Sequence, residues 1–145
     1  MKNNKSSIFD IDESLFSSLL WIVAILSVYK TRGLIITILA FLILKLERNS
    51  EFIRNHAGQA FIASLSAFIL SFLINSITVL ITALLSWIPG VNFATAIVLT
   101  IVGLLFKFIV IAYYLIGLVK AGQNKYLSLP IIGSLGEQVS KSIRP

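Results

Sequence analysis

Long apolar runs alternate with short polar segments along the chain, and this alternation predicts the architecture. The apolar runs cover residues 15–30, 34–46, 57–87 and 91–120. The run over 57–87 carries no charged residue. A helix made from it has no face left for water, whereas a bilayer core needs only about 20 such residues. We therefore predict an all-α membrane domain of four transmembrane helices over 15–122. A polar cytoplasmic tail, 1–14, precedes it and an interfacial C-terminal segment, 123–145, follows.

The first two apolar runs are short for membrane crossings, so two interpretations stay open. Each run, extended by one turn, approaches a minimal crossing, or the pair forms a hairpin that enters the bilayer and returns. Tyr29, Lys30 and Arg32 between the runs suit the headgroup region, and Gly33 permits a tight reversal. Two crossings are the preferred prediction, and the hairpin is the alternative.

Local residues predict where the helices begin and end. Asn49 or Ser50 is expected to cap the third helix, with Glu51 in its first turn. Residues 87–90, Trp-Ile-Pro-Gly, predict a turn, and Gly122 is expected to provide a left-handed cap after the fourth helix. The first 14 residues are expected to fray or lie on the surface.

Composition and charge favour a membrane protein over a nucleic-acid-binding one. The chain is 57% hydrophobic and 12% charged, whereas soluble proteins carry about a quarter charged residues. The net charge of +6 comes from cations in the polar segments between the runs, where they set topology and meet anionic lipid. We expect the lipid bilayer as a partner and no nucleic acid. The absence of cysteine excludes disulfides, thiolate metal sites and thiol catalysis.

The distribution of cations predicts the orientation. With four crossings, one side of the membrane holds Lys2, Lys5, Lys45, Arg48, Arg54, Lys120, Lys125, Lys141 and Arg144. The other side holds only Lys30 and Arg32. By the positive-inside rule, both termini face the cytoplasm, and the same holds if the first pair is a hairpin.

Polar residues of the third run recur at helical spacing. They are Ser64, Ser71, Asn75, Thr78, Thr82 and Ser86, and this set is called the stripe below. In lipid, such residues gather where helices touch, because backbones can approach and side chains can bond across. The stripe therefore predicts a packing seam, and its alternative is the lining of a substrate path; Asn75 and Thr78 are its central candidates.

Lys107 is the charge in the interior of an apolar run, between Phe106 and Phe108. Intramembrane ionisable residues are expensive and often functional. The structural alternatives are a lysine bonded to hydroxyls of the third helix, or a kinked helix that admits water. No carboxylate lies in any of the runs to serve as a counter-ion, which weakens proton-relay and cation-coupled transport mechanisms.

His56, the single histidine, lies one helical turn before Gln59 and close to Glu51 and Arg54. A lone histidine makes a poor metal site, and no Ser-His-Asp set can be assembled with it. We predict a hydrogen-bonding cluster that pins the helix at headgroup level, with catalysis as the alternative. Glu47 and Glu51 are expected to face solvent. No catalytic, cofactor or metal site is predicted, and we expect a protein that is not an enzyme.

Two polar segments carry a resemblance to a known family. Residues 44–60 precede the long third run, and residues 122–133 follow the last one. Together they resemble the Tic-twenty-like family of small four-span membrane proteins. That family includes bacterial proteins of unknown function and a component of the chloroplast inner-envelope translocon. The matching residues are His56, Gln59, Tyr126, Pro130 and Gly133. The resemblance covers residues 34–136 and implies four helices and oligomeric assembly.

Two functions from different classes follow. The first is a non-enzymatic accessory or assembly component of a homo-oligomer or a larger membrane complex, with the stripe as its seam. The second is a small channel or transporter, with a polar path along the third helix and Lys107.

Overall fold

A computed structural model of the chain describes residues 6–30 and 33–143, without the side chains of residues 29 and 30. Five helices follow one another: α1 Glu13–Lys30, α2 Leu34–Leu46, α3 Glu51–Leu85, α4 Val91–Gly122 and α5 Gly133–Ser142. The described residues form no β-strand. The predicted all-α class is therefore confirmed.

Most of the predicted helix ends are confirmed. The Ser50 side chain caps α3 by accepting the Ile53 N–H at 3.1 Å. Gly33 and Gly90 adopt the left-handed conformation, with φ of 89° and 80°, at the reversals before α2 and α4. The prediction for Gly122 is wrong. The α4 helix runs through Gly122, and Asn124 takes the positive φ, because the Lys125 N–H then reaches the Lys120 carbonyl at 3.0 Å and closes the helix end.

The described helices pack into a base at one end of the molecule. The α1 helix packs on α4, while α2 and α5 pack on the first half of α3. The buried core of this base includes Trp21, Ile36, Leu44 and Leu127. Buried residues of α3 stop at Ala67, and those of α4 are Tyr114, Gly117 and Ala121. Residues 68–113, the α3–α4 hairpin below, therefore extend beyond the base.

The α1–α2 turn ends about midway along α3. Gly33 faces Ser64, since a Cβ added there would lie 3.1 Å from the Ser64 carbonyl oxygen. The Thr37 hydroxyl donates to the Ser64 hydroxyl at 2.8 Å in the same place. From Ser64 to the last turn of α3 there remain about 30 Å of helix. The α1–α2 pair therefore stops well short of the tip of the α3–α4 hairpin.

Two of the described helices, α3 and α4, are long and apolar enough to cross a membrane, and their most apolar stretches are not buried within the chain. The α1 and α2 helices are apolar but shorter. Both still expose large apolar side chains, such as Leu26 and Leu46. The outward faces of α1, α2, α3 and α4 are thus all apolar.

Candidate functional site

His56 joins three parts of the base. Its Nδ1 accepts the Trp21 Nε1–H at 3.0 Å, which leaves Nε2 to donate to the Lys125 carbonyl at 3.1 Å. The imidazole is fully buried, and the Phe52 ring lies 4.6 Å from it between centroids. Both ring nitrogens are therefore occupied in holding α1 and the segment after α4 against α3.

Asn55 and Gln59 continue this attachment along α3. The Asn55 side-chain oxygen accepts the Leu127 N–H at 2.9 Å. The Gln59 amide donates to the Gly133 carbonyl at 2.8 Å, and its oxygen accepts the Leu129 N–H at 3.4 Å. His56 and Gln59 both form side-chain hydrogen bonds, as predicted, and these bonds hold the C-terminal segment of the chain itself; that they pin the helix at headgroup level stays a prediction.

The other residues that carry the family resemblance lie at the edge of the same cluster. The Tyr126 ring stands edge-on to Phe52, with centroids 5.6 Å apart. The Pro130 carbonyl accepts the Tyr113 hydroxyl at 3.3 Å. Gly133 packs so closely that a Cβ would lie 2.6 Å from the Ser128 hydroxyl oxygen. Four of the five matching residues therefore join the C-terminal segment to α3, and Pro130 joins it to α4.

Arg54 caps the carboxyl ends of two helices. One guanidinium nitrogen donates to the carbonyls of Leu44 and Glu47, at 2.8 and 3.1 Å, at the end of α2. The other donates to the carbonyls of Ser140 and Ile143 at the end of α5. A cation suits the partial negative charge of both helix ends. Arg54 thereby fixes α2 and α5 to the same point on α3.

The prediction that Glu47 faces solvent is wrong, because its side chain is 0% exposed. Its carboxylate accepts the hydroxyls of Ser6 and Ser7, each at 2.8 Å, and the Ser7 N–H at 3.0 Å. The N–H groups of Asn49 and Ser50 complete the shell at 3.0 and 3.1 Å. Burial alone raises the pKa of Glu47, but these hydrogen bonds, led by Ser7, outweigh it and hold the pKa below its ordinary value.

For residues 6–12, the same contacts exclude the frayed tail and leave its alternative, a segment that lies on the surface with most of its residues partly or fully exposed. This segment turns back on itself through the Ser6 N–H to Ile11 carbonyl bond, at 2.8 Å, and is tied to the loop before α3. Residues 1–5 lie outside the described part of the chain. Glu51 is exposed, as predicted. We call the contacts of Glu47, Arg54, Asn55, His56 and Gln59 the base network.

The sequence did not reveal that Trp21 and Asn55 belong to the base network, or that Glu47 is buried in it. Each acts through a partner far along the chain, and no local pattern reveals such a partner. Two more buried polar groups, the hydroxyls of Ser17 and Tyr114, have no hydrogen-bond partner within the described residues 6–30 and 33–143. Tyr114 lies beside Trp21, with ring centroids 5.8 Å apart, so polar atoms reach deep into the contact between α1 and α4.

The central residues of the stripe and Lys107 meet in a second place. A cavity of about 440 Å³ lies along the α3–α4 hairpin and is called the groove below. Its polar lining comes from Ser71, Asn75, Thr78, Thr82, Thr100 and Lys107. Gly33 of the α1–α2 turn lines it as well. The two ends of the stripe lie elsewhere: Ser64 is buried against Thr37, and the Ser86 hydroxyl bonds to the Ala83 carbonyl at 2.9 Å.

The polar groups of the groove differ in whether they are satisfied. The hydroxyls of Thr78 and Thr100 donate to carbonyls of their own helices, each at 2.7 Å. Among the described residues, the side chains of Asn75 and Lys107 have no hydrogen-bond or ionic partner. The interpretation of Lys107 as bonded to hydroxyls of the third helix is therefore wrong. The groove therefore contains two polar side chains, those of Lys107 and Asn75, that can still bind a partner.

The fold and these two sites define an all-helical protein with two helices long and apolar enough to cross a membrane. Comparisons of the chain with protein-family models, with curated proteins and with solved structures found no match. The resemblance to Tic-twenty-like proteins stays a prediction.

Proposed function

We propose that the chain is an integral membrane protein in which α3 and α4 cross the bilayer, while α1 and α2 form a hairpin that enters from the cytoplasmic side and returns. The exposed apolar flanks support solvation by lipid. The α1–α2 turn at Ser64 supports the hairpin alternative over four full crossings. The apolar part of α3, about 45 Å long, exceeds a bilayer core of about 30 Å, and helix tilt together with local thickening of the bilayer accommodates the difference.

The distribution of charge in the described residues supports this orientation. Lys45 and Lys120 close the last turns of α2 and α4 at the base, where Lys125 and Lys141 follow. The opposite tip, residues 87–90, carries no charge. The base therefore faces the cytoplasm by the positive-inside rule. Residues 2, 5, 32 and 144 and the side chain of residue 30, which also entered the predicted orientation, lie outside the described structure.

The role that the geometry supports best is that of a non-enzymatic accessory or assembly component, in a homo-oligomer or a larger membrane complex. One observation carries this proposal: the described helices leave the α3–α4 hairpin uncovered, with the polar groove on its flank. Polar side chains in lipid are stabilised at contacts between helices. The base network is saturated by the chain itself, which supports a structural role for it over a catalytic one.

Assembly can be tested with a pair of variants on α3. Asn75→Leu combined with Thr78→Leu removes the polar centre of the groove, and Ser76→Leu changes the neighbouring position outside its lining. We expect the double variant to lose cross-linked oligomers or partner recovery from mild detergent, while Ser76→Leu behaves like the wild type. Unchanged assembly in the double variant would exclude the stripe as the packing seam.

A small channel or transporter is the second candidate, favoured by the meeting of Lys107 with the central stripe in one cavity. Flux into liposomes by the wild type that falls in Lys107→Met would support it. An absence of flux from both proteins would exclude it.

A further inference from the structure

The groove contains a cation without an internal counter-ion. Lys107 has no ionic partner among the described residues, and the sequence contains no aspartate or glutamate from residue 52 to residue 122. A second copy of the hairpin therefore brings no acid to this level. Lipid does not solvate an unpaired ammonium well, so an anion supplied by another molecule would stabilise a charged Lys107 at this depth.

The surroundings of Lys107 suit a ligand with a polar and an apolar end. The Asn75 amide, also without a partner, lines the groove beside it and can donate two hydrogen bonds. Apolar side chains, Ile74, Leu99 and Phe106, line the same space. A volume of about 440 Å³ lies in the range of small-molecule pockets. Such a lining matches an oxyanion joined to a hydrocarbon chain.

The backbone at Gly33, the residue before α2, also supports a polar group in the groove. Gly33 lines the groove and has non-helical φ and ψ. Irregular backbone at membrane depth is tolerated where it is buried in protein or lines a polar cavity. A polar group held in the groove provides these surroundings.

We propose that the groove binds an amphiphile with an anionic head, a phosphate or a carboxylate, which pairs with Lys107 and accepts from Asn75 while its hydrocarbon chain follows the apolar lining. The proposal rests on the membrane placement proposed above. Asn75 also lies at the centre of the proposed seam, so the lipid test varies Lys107 while the assembly test varies Asn75 and Thr78. The same oxyanion chemistry exists in soluble anions, but the apolar lining assigns it to a membrane lipid or a fatty acid.

The test measures lipid retained by the purified protein. The protein is reconstituted in nanodiscs of equal zwitterionic phosphatidylcholine and anionic phosphatidylglycerol, transferred to detergent and examined by native mass spectrometry. We expect wild type to retain one anionic lipid. Lys107→Met should reduce that retention about tenfold or more, because it removes a charge-assisted contact. Lys107→Arg should keep it. Lys45→Met, which removes an exposed cation outside the groove, should match the wild type.

Several outcomes would overturn the assignment. Equal retention by wild type and Lys107→Met, or an equal loss in Lys45→Met, would exclude specific binding at the groove. Release of the lipid by millimolar inorganic phosphate in wild type would assign the site to a soluble oxyanion. Circular dichroism and size-exclusion chromatography check that the variants fold. Recovery of the wild type in the membrane fraction checks the proposed placement separately.

Discussion

At the scale of single residues, the buried carboxylate of Glu47 shows how this chain fastens its N-terminal segment. Its oxygens accept hydrogen bonds from a segment about 40 positions earlier and from the loop that leads into α3. Buried donors that lose their acceptor cost more than a hydrogen bond contributes on average. Glu47 therefore stabilises the fold chiefly by satisfying several donors at once.

Glu47→Ala is expected to lower the free energy of unfolding by about 2–3 kcal/mol, because the buried Ser6 and Ser50 and the part-buried N–H of Ser7 keep donors without an acceptor. The matched control is Glu51→Ala, an exposed acid on the same connection, with an expected change below about 1 kcal/mol. Denaturation in mild detergent measures both values. Equal destabilisation by the two variants would contradict the role of Glu47.

The lowered pKa of Glu47 gives this contact a defined pH dependence. A carboxyl whose folded pKa lies below its ordinary value of 4.5 contributes its full stability above that value. The contribution is lost as pH falls through the lowered pKa. We expect the amide NMR signal of Ser7 to stay constant from pH 7 down to the ordinary value of 4.5 and to shift only below it. A shift already complete at pH 6 would show that Glu47 is not held in its ionised form.

Residue roles were predictable where the partners are local. The cluster of His56 and Gln59 follows from polar residues placed one turn apart at the start of an apolar helix. The burial of Glu47 was not predictable, because in sequence it belongs to a charged connection and its acceptor role depends on Ser6 and Ser7. The hydrogen bond from Trp21 to His56 likewise joins different helices.

At the scale of helices, the C-terminal segment is held on α3 by a capping cation and by close backbone contact. Arg54 bonds to the ends of α2 and α5. Gly58 and Gly136 allow α5 to approach α3, since a Cβ at Gly58 would lie 2.4 Å from the Gly136 carbonyl oxygen. The loss of either feature is therefore expected to weaken the attachment of α5 to α3.

Arg54→Met is expected to expose the C-terminal segment to trypsin, because four carbonyls at two helix ends lose their donor. Cleavage after Lys125 should become about tenfold faster or more. Arg48→Met removes an exposed cation whose side chain makes no hydrogen bond, and it serves as the control. Equal cleavage of the two variants would show that Arg54 does not hold α5.

Gly58→Ala tests the close contact of α3 and α5. The added methyl group meets backbone, so α5 has to shift, and we expect a loss of about 2 kcal/mol or more in stability. Gly103→Ala offers a matched change in α4, where nothing lies within 4 Å of the added Cβ. That control should be neutral or stabilise the helix by up to about 1 kcal/mol. Thermal denaturation that ranks the two variants in the opposite order would contradict the packing.

Helix bounds were largely predictable because they depend on neighbouring residues. Ser50 as a cap and Gly33 and Gly90 at reversals act within one or two turns. Gly122 misled the prediction, since Asn124 also tolerates a positive φ and the chain ends its helix there.

At the scale of the whole molecule, helix length separates the base from the hairpin. The apolar runs predicted all four long helices, but periodicity and composition do not say how far α1 and α2 extend along α3. That depends on the contact between Gly33 and Ser64, a tertiary feature. The stripe was recognised in the sequence. The sequence did not show that Ser64 contacts α2 while the central residues of the stripe line the groove.

The placement of the chain in the membrane is the central claim, and cysteine labelling tests it directly, because the natural chain has no cysteine. Single cysteines replace Ser86 near the tip, Ser134 on α5 and Leu34 at the α1–α2 turn, all exposed in the structure. A membrane-impermeant maleimide added to intact cells should label Ser86→Cys. It should label Ser134→Cys only after permeabilisation and leave Leu34→Cys unlabelled from outside. If Leu34→Cys is labelled as fast as Ser86→Cys, α1 and α2 cross the membrane and the chain has four crossings. Labelling of Ser134→Cys from outside intact cells would contradict the proposed orientation, and recovery of the protein without membranes would contradict the membrane placement itself.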